Sequence, residues 1–152
     1  MITTCLWFQG DLDAALARYE SLFDDFEVFS LTRMGADDPA MLADWHMNGT
    51  EFRAISQPAD FRFNESISLS VTCEDQAEAD RLWYGLIADG GEESMCGWLK
   101  DPYGLSWQIL PKRLYELLSD PHPARAAAAQ TAMLSQHRIV VSELEAAADQ
   151  AN

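Results

Sequence analysis

Basic residues are scarce: ten Lys and Arg stand against 25 Asp and Glu, a formal net charge of −15. A surface of that sign repels phosphate backbones and anionic membrane faces, so neither nucleic acid nor membrane is expected as a partner. Histidine is scarcer still. His46, His122 and His137 are scattered so that no two share a metal-ligand spacing, and they read as surface or structural residues. The three cysteines, Cys5, Cys73 and Cys96, are odd in number and lack the Cys-x-x-Cys spacing of a zinc or redox site, so reduced, buried thiols are expected. No apolar run approaches the length of a membrane span. Met1 leads straight into a strand pattern without a charged segment or signal-peptide apolar region, which makes a cytoplasmic protein the expectation. The paired acids Asp37-Asp38 and Glu92-Glu93 fall at turns, where solvated charge normally sits.

What is present is apolar bulk. With 48% apolar residues, five Trp, seven Phe and four Tyr, 152 residues suit one domain with a real core. The most organised stretch is residues 97–109. Asp101-Pro102-Tyr103-Gly104 carries a tight-turn signature, since Pro presets φ and Gly closes the turn without steric cost. Beyond it residues 105–110 alternate, with Leu105, Trp107 and Ile109 on one face and Ser106 and Gln108 on the other. That is a strand with one buried face and one wet one.

In order, the chain shows an internal duplication. Residues 2–9 read as a strand, and Asp11 opens a helix whose stripe is Leu12, Ala15, Leu16, Tyr19, Leu22 and Phe23. Strand-like runs follow at 27–34, 41–48 and 51–56, and Pro58 and Asp60 break the pattern. The order then repeats. Residues 66–73 alternate cleanly, Asp75 with Glu78 forms a capping box, and Ala79, Leu82, Trp83, Leu86 and Ile87 form the next helical stripe. Gly90-Gly91 ends that helix, and short strands follow around 93–99 and 105–110. A shift of 64 superposes Asp11 on Asp75 and Tyr19 on Trp83. The expected architecture is α+β: a first βαβββ unit at 1–57 and a second at 65–110, forming a cupped mixed sheet, with a helical C-terminal extension at 111–152. In that extension 111–118 makes a short helix, 124–136 is an Ala-rich helix, and 139–144 holds a last apolar patch. So little apolar bulk implies packing on the body or on a second subunit.

The wording Cys96-Gly97-Trp98-Leu99-Lys100-Asp101-Pro102-Tyr103-Gly104, followed by Ser106-Trp107-Gln108-Ile109, resembles the closing hairpin of the vicinal oxygen chelate superfamily. Glyoxalases, extradiol dioxygenases and bleomycin-resistance proteins belong there. It is most similar to the PhnB-like branch, which often carries a demethylubiquinone methyltransferase label, although nothing in this chain resembles a methyltransferase. Leu6-Trp7-Phe8 before Gly10, and Cys73-Glu74-Asp75-Gln76 before Asp80-Arg81-Leu82-Trp83, fit the same branch. The resemblance implies the glyoxalase/bleomycin-resistance-like fold and a homodimer.

It also implies a metal held by the first and last strands of each unit, usually through His and Glu. Counting back seven residues from Asp11 and Asp75 gives Thr4 and Ser68, and four places after Gly104 stands Gln108. The fourth position, near 54–57, holds neither His nor a carboxylate. Neutral oxygens gain little over hydration for a transition ion, so no metal and no cofactor are expected. Hydroxyls and an amide among aromatic walls instead suit a small organic molecule, uncharged or cationic, and the candidate cleft residues are Thr4, Phe8, Ser68, Ser70, Trp98 and Gln108. Trp7 and Trp107 are expected on the helix-facing sides of their strands. The competing readings are a metal-dependent lyase, isomerase or dioxygenase, and an interaction module with a filled cleft.

Overall fold

Both expected βαβββ units form, and each closes its own four-stranded mixed sheet. The computed structural model describes residues 1–151. Its first compact unit is Met1–Phe63, and the second begins at Asn64 and takes in the C-terminal helices.

The first unit runs β1 (Thr4–Phe8), α1 (Leu12–Leu22), β2 (Phe26–Thr32), β3 (Leu42–Met47) and β4 (Thr50–Ser56). Its strand order is β1-β4-β3-β2, with β1 parallel to β4 and the other pairs antiparallel. The β3–β4 turn is Asn48-Gly49 with φ of 48° and 82°, the pair of positive values that a two-residue hairpin needs. Asp25 accepts from Gly49 N at 3.0 Å and pairs with His46 Nε2 at 2.8 Å, tying β3 to this turn. One face of the sheet is wholly apolar at its centre: Leu6, Phe8, Ala43, Trp45, Phe52 and Ala54 are all buried. The buried stripe of α1 is Leu12, Ala15, Leu16 and Tyr19, as its periodicity predicts.

The second unit runs β5 (Ser68–Cys73), α2 (Gln76–Ile87), β6 (Glu92–Glu93), β7 (Trp98–Lys100) and β8 (Ser106–Pro111), ordered β5-β8-β7-β6. Asp75 caps α2 by accepting from Glu78 N at 2.9 Å, and Glu78 reaches back to Glu74 N at 2.7 Å. The stretch 93–99 is two strands, because Cys96 and Gly97 turn left-handed with φ of 57° and 84°. Helix α2 packs across β5, β7 and β8 through Ala79, Leu82, Trp83 and Leu86.

Three helices complete the unit: α3 (Lys112–Leu118), α4 (Pro123–Leu134) and α5 (Val141–Gln150). Leu110, Leu114, Leu117, Ala129, Ile139 and Leu144 form their shared core. The small Ala129 brings α4 close, while the bulk comes from α3 and α5. A strap at 136–141 binds the body. The Gln136 carbonyl accepts from Cys96 N at 2.7 Å and the His137 carbonyl from Gly97 N at 2.8 Å. The Gln76 side chain donates to the Ile139 carbonyl and accepts from Val141 N, both at 2.8 Å.

Candidate functional site

The polar face of the second sheet is set by the closing hairpin, and the hairpin is set by Asp101. This carboxylate is 2% exposed. Its Oδ1 accepts from Tyr103 N and Leu105 N, both at 3.0 Å, and its Oδ2 accepts from Trp107 Nε1 at 2.9 Å. Turn and strand are thus clamped by one side chain, which fixes the register Trp98 with Gln108 and Lys100 with Ser106. On the other flank of β8, β5 pairs Ser68 with Ser106 and Ser70 with Gln108. Directly paired residues share a face, so Ser68, Ser70, Trp98, Lys100, Ser106 and Gln108 stand together. Val71, Leu99, Trp107 and Ile109 occupy the opposite, buried face.

On the polar face Gln108 Nε2 donates to Ser68 Oγ at 2.9 Å, and the Gln108 Oε1 makes no hydrogen bond among the described residues. Ser70 is exposed, and Trp98 and Gln108 are half-buried. Ser106 departs from the expected wet setting. It is 1% exposed, and its Oγ has no hydrogen-bond partner. Beside it Lys100 Nζ lies 2.5 Å from Glu65 Oε1. That contact raises the lysine above its ordinary pKa and lowers the glutamate, each through the hydrogen bond to the other.

In the first unit the count of seven slips by one. The strands end 65 residues apart, at Phe8 and Cys73, whereas the helices begin 64 apart, at Leu12 and Gln76. The extra residue lies in the β1–α1 connection, where Gly10 takes φ of 104°. The strand faces are therefore turned over relative to a uniform shift. Thr4 shares a face with Leu6 and Phe8, and Phe8 is 1% exposed with its ring edge-on to Phe63 at 5.3 Å. Phe8 packs the core and offers no open surface. Trp7, expected in the core, is instead half-buried on the other face, donating from Nε1 to the Gln57 carbonyl at 2.8 Å with its ring against Phe61. By the 65-residue offset of the strands, the counterpart of Ser68 is Thr3, and the counterpart of Ser70 is Cys5, whose partner Arg53 stands where Ser70's partner Gln108 does and pairs with Asp44 as well. Arg53 Nε donates to Asp44 Oδ1 at 2.7 Å.

With this geometry the comparisons agree. The family model described as 3-demethylubiquinone-9 3-methyltransferase matches residues 1–110. The PhnB protein from Bacillus cereus is 35% identical, with a TM-score of 0.67 over 72% of this chain and 98% of its own. The chain belongs to this PhnB-like family. More distant likenesses show the same fold. Protein PA1353 from Pseudomonas aeruginosa is 22% identical with a TM-score of 0.60, covering 73% of this chain and 96% of its own. The fosfomycin resistance protein FosX from Listeria monocytogenes, determined with Mn(II) and sulfate, is 14% identical with a TM-score of 0.50, covering 70% of this chain and 87% of its own. No curated protein matches the chain.

For a PhnB-like chain the next question is whether a metal fits. The positions that the superfamily resemblance points to hold Ser68 and Gln108 in the second unit, and their counterparts in the first are Thr3 and Arg53. Two hydroxyls and an amide bring no charge, and a guanidinium is a cation with no lone pair to donate. Among the described residues no group of three or more His, Cys, Asp or Glu is placed to hold a metal ion. Neither pair of donors fits the group. Two features of the face escaped the sequence reading. Lys100 shares parity with Trp98 in β7, a signal that was available. Glu65 lies outside any strand, and nothing in the pattern marks it.

Proposed function

We propose that this PhnB-like protein binds a small organic molecule on the β5–β8 polar face, without a metal, through Ser68, Ser70, Trp98 and Gln108. The observation that carries the reading is the Gln108–Ser68 hydrogen bond at 2.9 Å. It pairs two neutral side chains where the superfamily pattern calls for an imidazole and a carboxylate, and it presents an unused amide oxygen beside a half-buried Trp98. Directional polar groups next to an aromatic wall are the usual make-up of a ligand site. Neither sheet is the open parallel kind whose strand ends bind nucleotide cofactors, so the methyltransferase wording of the family finds no support in the fold. A homodimer and a cytoplasmic setting belong to the same proposal.

A thermal-shift screen of uncharged and cationic metabolites tests the reading. A compound at a hundred times its dissociation constant stabilises the fold by roughly 2.7 kcal/mol. Gln108→Leu should abolish the shift given by any hit while leaving the unliganded midpoint within a few degrees. A library without a hit counts against the proposal. Near-stoichiometric zinc, iron, nickel or manganese in untagged protein, lost in the Gln108→Leu variant, would replace it with the metal-dependent reading.

A further inference from the structure

At the β6–β7 end of the polar face a pocket of about 130 Å³ opens, lined by Glu65, Glu92, Glu93, Trp98, Lys100 and Ser106 among others. We propose that it is a subsite for a protonated primary amine borne on a small aromatic or apolar body, an inference that rests on reading the β5–β8 face as the ligand-binding surface.

Charge is the first argument. On the polar face two carboxylates, Glu65 and Glu92, stand by one ammonium, and Lys100 is already matched by Glu65 at 2.5 Å. The surplus negative charge belongs to Glu92, which is paired with Lys100 across the β6–β7 ladder. Glu93 pairs with Leu99 and is committed to the other face, where its Oε1 accepts from Trp83 Nε1 at 3.0 Å. Anionic ligands are repelled by this arrangement, and cations are drawn to it.

Ser106 is the second and independent argument. The residue lines the pocket and is 1% exposed, and its Oγ is buried with no partner. A buried hydroxyl without a partner carries a desolvation penalty that a folded protein rarely leaves standing. An incoming ammonium removes it. Three N–H donors on one nitrogen can be shared between a hydroxyl oxygen and carboxylate oxygens, the acceptors present here. Trp98 adds a ring against which a cation or an aromatic body can rest. A metal ion is the poorer occupant, since among the described residues no three acidic or imidazole groups are placed to ligate one.

The test compares three molecules of one shape: benzylamine, benzyl alcohol and benzoate. Binding to the full chain is followed by calorimetry and by amide NMR shifts. The amine is expected to bind about tenfold or more tightly than the alcohol, the difference one good charge-assisted contact makes. Its shifts should centre on residues 92–108. Ser106→Ala and Glu92→Gln, each checked for an unchanged fold by circular dichroism, should weaken the amine several-fold and leave the alcohol as it was. Equal binding of amine and alcohol overturns the amine subsite while leaving the ligand-binding face intact. Tighter binding of benzoate would show Lys100 leaving Glu65 for an anion and also overturns it. If none of the three perturbs residues 92–108, the subsite is rejected, and the metabolite screen then decides the broader reading separately.

Discussion

The Asp101 carboxylate accepts the indole N–H of Trp107 at 2.9 Å, and both residues are buried. Six residues apart, they lock the turn to the strand that carries Gln108. Asp101→Ala removes the acceptor for that indole and for two backbone N–H groups, so it should destabilise the protein by about 3 kcal/mol or more. Trp107→Phe leaves two of the three donors in place and trims the packing, and should cost about 1–2 kcal/mol. Urea unfolding of the two single variants and the double variant gives the coupling. A sum of independent effects would show that the clamp does not act as a unit.

Ser106→Ala should raise stability, because it deletes a buried hydroxyl with no partner and leaves only an oxygen-sized gap. Relief of such a penalty is worth on the order of 1 kcal/mol. The same variant should weaken amine binding several-fold, a stability gain at the expense of the proposed subsite. A lowered unfolding midpoint would mean that the hydroxyl stabilises the unliganded fold.

The cysteines should separate cleanly by reactivity. Burial pushes the Cys73 thiol up to about 12, and Cys5 is exposed. Thiolate is the reacting form. Near pH 8 a chromogenic disulfide reagent should therefore modify Cys5 within minutes and Cys73 only after denaturant is added. Rapid labelling of Cys73 in native protein would contradict the burial.

Asp13 should give stability a distinct acid limb. Its hydrogen bond from Arg33, helped by one from Ala40 N at 2.8 Å, holds the carboxyl below the usual aspartate range. A depressed folded value means that the contribution is complete above the unfolded value and disappears as pH falls through the folded one. The gap in melting temperature between the parent and Asp13→Asn should thus be constant from pH 7 to about 5 and close below about pH 4. A gap that persists at pH 2.5 would assign the effect to shape rather than charge.

Much of this was legible from residue order. The duplication, the capping box at Asp75 and the buried stripes of both helices follow from periodicities that local sterics and burial enforce. The hairpin at Asp101 was legible as a turn, but the carboxylate as its clamp was not, since that depends on Trp107 folding back over six residues. Of the proposed ligand contacts, Ser68 and Gln108 were picked by counting, and their side chains meet at 2.9 Å. The same count misplaced Thr4 and Phe8 because one extra residue at Gly10 inverts strand parity, and a period of two amplifies a single insertion into a change of face. The burial of Ser106 had no local signal. Alternation marks which face a residue shares, not how deep it lies.

The strap at 136–141 makes the polar face of the second sheet answerable to the helices that follow it. Cys96 and Gly97 hold left-handed backbone just before Trp98, and their N–H groups are satisfied by carbonyls of Gln136 and His137. Undocking the strap would leave two donors unpaired in a turn that only one of the two residues, the glycine, adopts readily. The turn and the strap should therefore open together, as one cooperative unit in hydrogen exchange. Slow exchange at Cys96 and Gly97 is a readout of tail docking, and any substitution that loosens the helices after Pro111 is felt at Trp98 without touching it.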